Sequence, residues 1–231
     1  MDSFIFNGIS SKEMKILIRE PLQPVPRAEK NVNFIEIPGR NGYLVEDNQS
    51  YKPIPYSIIC NTTKDIDINK LKSWLIGSGK LILSNNPKVY YDAYIANQLD
   101  IETMVRKLKV FQVYLKLQPI AHSLEKYIKS IKNTSKFDFM ISDATEKMSP
   151  IITVYGDSEI TLNINGTNLN VTPDESICVD CDLQIAHKDY VDANSAISGP
   201  LDEIFLFPGI NKIEITGEYD EILLEYSKNY L

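Results

Sequence analysis

A chain of 231 residues with 43% apolar composition can bury one large core or two medium ones, and ordinary domain sizes favour two. Its 24 basic and 31 acidic residues give a net charge of −7, which opposes the phosphate backbone and argues against a nucleic-acid-binding protein. Three cysteines are too few and too odd in number for a disulfide framework, and no apolar run reaches the length of a membrane span.

Met1-Asp2-Ser3 opens without the basic and apolar regions of a signal peptide, so synthesis without secretory export is expected. Phe4-Ile5-Phe6-Asn7-Gly8 reads as a short strand ending in a turn, with Met14 to Arg19 as its return. Pro21, Pro24 and Pro26 forbid regular structure and leave an extended arm. Asn33 to Ile37 leads into a turn block, Ile37-Pro38-Gly39-Arg40-Asn41-Gly42-Tyr43, in which glycine tolerates positive φ between apolar runs.

Tyr56 to Cys60 is a further strand, after which the period changes. Ile68, Leu71 and Leu75 form an amphipathic stripe, Asp65 or Asp67 can cap its start and Gly77 with Gly79 its stop, so the spacing predicts a helix over Asp67 to Ile76. Trp74, the sole tryptophan, reads as a plug of the core. Lys80 to Ser84 and Val89 to Ile95 are strands, as is Arg106 to Leu117, where a change of parity predicts a bulge near Val110-Phe111 or burial on both faces. Gln118-Pro119 closes this half, which places a domain boundary close to residue 119.

The second half is a succession of strands. Ile160, Leu162 and Ile164 alternate with polar neighbours, Asn165-Gly166 turns the chain, and Leu169 and Val171 return. Asp174 to Cys181, Ile204 to Phe207, Ile213 with Ile215, and Ile222 to Tyr226 complete the set, with Phe207-Pro208-Gly209-Ile210-Asn211 as a second turn block. Short strands about ten residues apart argue for an antiparallel β-sandwich.

Candidates for chemistry are few. Cys178-Val179-Asp180-Cys181 has C-x-x-C spacing, but a zinc site needs two further soft ligands and a redox pair needs a helix after the first thiol, so structural cysteines are expected there as at Cys60. His122 beside Ser123, and His187 before Lys188-Asp189, make no nucleophile–base pair, because strand neighbours point to opposite faces. Asp180 and Asp182 share a strand face and mimic a paired-carboxylate site, though solvated edge charge explains them too. Lys126, Lys129, Lys132 and Lys136 read as a solvated face. No catalytic, cofactor-binding or metal-binding residue is assigned.

Phe6-Asn7-Gly8, the Ile37 to Gly42 block, Trp74-Leu75 before Gly79-Lys80-Leu81, and Tyr90-Tyr91-Asp92-Ala93-Tyr94 together resemble the N-terminal domain of the siphophage distal tail protein family. Ser149 to Gly156, Leu162 to Gly166, Val179-Asp180-Cys181 and Phe207 to Ile213 resemble its C-terminal galectin-like sandwich. The resemblance implies a mainly β protein: residues 1–119 as a β-sandwich or barrel-like ring-forming domain with one short helix, and 120–231 as the galectin-like domain. It implies a hexameric ring at the tail tip of a phage, or of a tail-like bacteriocin, between the tail tube protein and the hub and receptor-binding proteins, with no enzymatic activity and no cofactor. Strand edges of the first domain and the Pro21 to Pro26 arm are its candidate ring contacts, and Arg40 stands at a tip able to reach a partner.

Two other readings compete. A carbohydrate-binding module would use an exposed aromatic such as Tyr155, Tyr190 or Tyr219, and a hydrolase would use Asp180 or Asp182.

Overall fold

The computed structural model describes residues 2–62, 66–96 and 109–231. It is mainly β, and the chain divides into two compact units, Met1–His122 with Leu231, and Ser123–Tyr230.

The first unit opens with β1 (Phe4–Phe6) and β2 (Ile9–Ser10), joined by Asn7 at φ +49° and Gly8 at φ +79°. Asn-Gly is the pair that a two-residue hairpin turn of this hand favours, because both central residues need positive φ. The return strand expected over Met14 to Arg19 is β3 (Ile16–Ile18), and it pairs not with β1 but with β6 (Ile54–Thr62). Between them, β4 (Lys30–Glu36) and β5 (Tyr43–Tyr51) form a separate two-stranded sheet.

Helix α1 (Ile68–Trp74) follows, capped by Asp67, whose Oδ1 accepts the Asn69 and Lys70 amides at 3.0 and 3.1 Å. The other candidate cap, Asp65, lies outside the described residues. Leu71 and Trp74 enter the core; the Trp74 ring stacks on Phe4 at 5.4 Å and its Nε1 donates to the Phe6 carbonyl at 2.8 Å. A buried indole N–H needs such a partner.

Strands β7 (Ser78–Leu83), β8 (Asn86–Ile95) and β9 (Val110–Ile131) complete the unit, in the order β3-β6-β9-β8-β7-β1-β2. No bulge is needed at Val110-Phe111. The register from Asn61↔Val110 to Ile54↔Leu117 is unbroken, and Phe111, Val113, Leu115 and Leu117 are buried on one face while Val110 sits half-buried on the other. Arg106 to Leu108 lie outside the described residues. Nor does Pro119 end the strand: it stands beyond Leu117, the last residue paired with β6, where that ladder asks for no N–H.

The second unit contains the end of β9, then β10 (Lys136–Ile141), β11 (Ile151–Tyr155), β12 (Ile160–Ile164), β13 (Thr167–Val171), β14 (Ser176–Asp180), β15 (Ile185–Lys188), β16 (Val191–Asp192), β17 (Ile197–Ser198), β18 (Gly209–Thr216) and β19 (Glu221–Tyr230). One sheet runs β16-β15-β14-β11-β19-β9 and the other β10-β18-β12-β13-β17. Ile152, Val154, Ile177, Val179, Ile222 and Leu224 from the first meet Ile141, Leu162, Ile164, Leu169, Ile213 and Ile215 from the second in one core. Burying each such side chain contributes about 1.5–3 kcal/mol.

Ile204 to Phe207 is not the strand its composition suggests. Ile204 and Leu206 are buried, but the segment follows a 3₁₀ turn at Leu201–Glu203 and makes one β-bridge, Leu206 to Met148. The next turn is organised by Asn211, which is fully buried: its Oδ1 accepts the Phe207 amide at 2.8 Å, and its Nδ2 donates to the Phe207 and Gly209 carbonyls. Asn165 Nδ2 also donates to Asn211 Oδ1 at 2.9 Å, tying this turn to the Asn165-Gly166 turn. The Pro-Gly-Ile-Asn block is therefore a side-chain clamp as much as a glycine turn.

Candidate assembly surface

The β4–β5 hairpin carries apolar residues outward on both of its faces. Ile37, Pro38, Gly39 and Arg40 form a type II turn, with Gly39 at φ +79° and the Arg40 amide donating to the Ile37 carbonyl at 3.1 Å. Near this tip, the register pairs Phe34 with Val45, Ile35 with Leu44 and Glu36 with Tyr43. Alternation puts Phe34, Val45 and Tyr43 on one face and Ile35 and Leu44 on the other. Phe34 is 64% exposed and Tyr43 60%, and their rings meet edge to face at 6.0 Å.

The base of the hairpin is polar by contrast. Lys30 Nζ bonds Asp47 Oδ2 at 2.9 Å, which raises the Lys30 pKa and lowers that of Asp47; Asn33 pairs with Glu46 and Asn31 with Ser50. A two-stranded hairpin alone is marginal in water, and apolar side chains on both of its faces have no core in their own strand pair. The sequence signal was present in the consecutive apolar runs Phe34-Ile35 and Tyr43-Leu44-Val45, which no one-sided strand would carry. Arg40 stands exposed at the turn.

The proline arm, by contrast, is fastened to its own unit. Leu22 is buried and its amide donates to Asp2 Oδ2 at 2.9 Å, the Tyr56 hydroxyl donates to the Gln23 carbonyl at 2.7 Å, and Asn85 Nδ2 donates to the Leu22 and Gln23 carbonyls.

The residues singled out for chemistry do not converge. His122 Nε2 lies 3.8 Å from Asp92 Oδ2, beside Tyr90. The Ser123 hydroxyl is engaged, donating to the Glu125 carbonyl and accepting the Lys228 amide. Asp180 and Asp182 do not share a strand face: β14 ends at Asp180, whose Oδ1 caps the following turn by accepting the Asp182 and Leu183 amides at 2.9 Å. Cys60 and Cys181 are buried, and burial pushes both thiols up to about 12, with Asp180 adding to the effect at Cys181. Cys178 is half-buried opposite His187 across β14 and β15. Among the described residues no three His, Cys, Asp or Glu side chains gather as a metal site.

Nor do the four lysines make a phosphate-binding patch. Lys126 pairs with Glu225, Lys132 with Glu221 at 3.0 Å and Lys136 with Glu214 at 2.8 Å, while Lys129 lies over the Phe139 ring. Of the three tyrosines named as platforms, Tyr219 is used internally, its hydroxyl donating to the Thr134 carbonyl and accepting the Thr134 amide. Tyr155 sits in β11 at 37% exposure, and Tyr190 is 98% exposed.

No family model and no curated protein match this chain. Among solved structures, the fold is similar to that of SPP1 Dit (gp 19.1), described as a paradigm of the hub adsorption apparatus in phages that infect Gram-positive bacteria. The two superpose with a TM-score of 0.74 over 100% of both chains, at 13% identity. At that identity the likeness is one of fold.

Proposed function

We propose that this chain is a structural, non-enzymatic component of the tail tip of a phage or phage-like particle. It assembles into a ring that joins the tail tube to the hub and receptor-binding parts. The observation that carries this reading is the β4–β5 hairpin, whose exposed Phe34, Ile35, Tyr43, Leu44 and Val45 need a covering surface that another subunit would supply. The full-length fold likeness to a protein of a phage adsorption apparatus supports it. In this reading residues 1–119 build the ring and 120–231 form an outward galectin-like attachment domain. The net charge of −7 suits a ring whose channel must pass DNA without holding it.

The test is the mass and shape of the purified full-length chain in solution. A six-subunit ring with an open channel is expected by mass photometry and negative-stain imaging, alone or on addition of the tail tube protein. A monomer at every concentration, both alone and with that partner, would refute the proposal.

A further inference from the structure

Tyr190 occupies a position that its side chain disfavours. Lys188 pairs with Val191 across β15 and β16, so Asp189 and Tyr190 are the two residues of the connecting turn, at φ +47° and +67°. Such a turn favours asparagine followed by glycine, and a bulky aromatic at positive φ is an outlier. The conformation brings the ring no burial in return, since it is 98% exposed, with only the His187 ring parallel to it at 6.1 Å. Backbone strain held without a packing benefit points to function.

What surrounds the ring indicates the ligand. The residues on either side of Tyr190, Asp189 and Val191, both line a groove of about 480 Å³, within the size range of small-ligand clefts. Asp174, Asp192 and Ser195 line it too, with Lys188 held between Asp174 Oδ2 at 3.1 Å and Glu175 Oε2 at 3.2 Å. Three lining carboxylates (Asp174, Asp189, Asp192) against the one ammonium of Lys188 make this an acidic rim, which repels anionic polymers and offers acceptors to hydroxyl groups. An exposed aromatic beside a groove of mixed lining, with Ile177, Val191, Ala193 and Ala196 among its polar side chains, offers both an apolar platform and hydrogen-bonding groups. It matches the two faces of a pyranose, whose C–H side lies on a ring while its hydroxyls reach carboxylates.

The geometry points to a binding site for an uncharged saccharide at the β15–β16 turn, with Tyr190 as the stacking platform and the groove beside it as the hydroxyl-reading wall. The site lies wholly within the second unit and does not depend on ring formation.

The full-length chain is screened on an array of neutral hexose and N-acetylhexosamine oligosaccharides, including lactose, maltotriose, cellotriose and chitotriose. Affinity for the strongest ligand is then measured by calorimetry. Tyr190→Ala and Tyr190→Gly are expected to weaken binding by about tenfold or more, and Tyr190→Trp to preserve it. Because glycine suits the turn, Tyr190→Gly should melt no lower than the parent while losing the ligand, which separates binding from folding. Silence across the array, binding unchanged in both truncated variants, or a preference for anionic glycans overturns the proposal, whatever the state of assembly.

Discussion

The carboxamide of Asn7 fills the space that a side chain on Gly79 would need: a Cβ built there falls 1.8 Å from Asn7 Oδ1. From that position Asn7 Oδ1 accepts the Lys80 amide at 3.1 Å, and Nδ2 donates to the Ser78 carbonyl at 3.3 Å, clasping β7 across the glycine. Gly79→Ala therefore evicts the carboxamide and should destabilise the first unit by about 1–3 kcal/mol. Asn7→Gly keeps the turn but removes the clasp. In the double variant the two losses should fall short of additive, because one change has already removed what the other disrupts. Denaturant melts of the four proteins measure this coupling; full additivity would show that the two residues act separately.

Asn211 offers a second stability test, in the other unit. Its truncation to alanine leaves the Phe207 amide and carbonyl without the partners that Oδ1 and Nδ2 supply in a fully buried site. A loss of about 2–4 kcal/mol is expected, larger than for an ordinary surface asparagine. Asn165→Ala should cost less, since Asn165 is only part-buried. Thermal melts rank the two, and an equal or reversed order would contradict the clamp.

Charge placed on the hairpin tests assembly without disturbing the fold. Phe34→Glu and Leu44→Glu lie on opposite faces of β4–β5, and both residues are exposed. Each should leave chain stability within about 0.5 kcal/mol of the parent while preventing ring formation. Size-exclusion chromatography with light scattering reads the outcome. If both variants assembled normally, the hairpin would not be a subunit contact.

The buried thiols set an alkaline limit. Cys60 and Cys181 ionise near 12 in the folded chain but near 9.0 when exposed, because burial disfavours the thiolate. Between those values the unfolded chain has released protons that the folded chain retains. Stability is therefore complete below about pH 9 and falls as pH rises toward 12. Cys60→Ala should flatten that fall, although its melting point at neutral pH drops through the small cavity created. In native protein at pH 8, an alkylating reagent should reach the half-buried Cys178 well before Cys60 or Cys181; rapid labelling of all three would refute the burial argument.

Local chemistry was legible in the sequence where local chemistry decides the structure. Asp67, the Ile68-Leu71-Leu75 stripe and the Asn165-Gly166 turn carry their own instructions, and the second-half alternation of Ile160, Leu162 and Ile164 implied a one-sided strand that the sandwich core bears out. Gly79 was read as part of a helix stop, but its role is to admit Asn7, which is 72 positions earlier in the chain; no window around residue 79 contains that fact. Pairing partners escaped for the same reason. β3 answers to β6 rather than to β1, and Ile204 to Phe207 looks like a strand in composition but finds one bridge partner. Simple alternation puts Asp182 on the strand face of Asp180, whereas β14 ends at Asp180, whose carboxylate caps the turn that follows. The candidate surface itself was half visible. Residues 33–45 announced a hairpin, but only the structure shows that both of its faces meet solvent.

The bare apolar tip of β4–β5 also sets a schedule. Two newly made copies that meet before the proper acceptor surface is ready can adhere by the same side chains in the wrong register, and such encounters rise with the square of concentration. High-level expression would thus drive soluble chain toward precipitate, so the rate of synthesis becomes a variable that the exposed tip itself imposes.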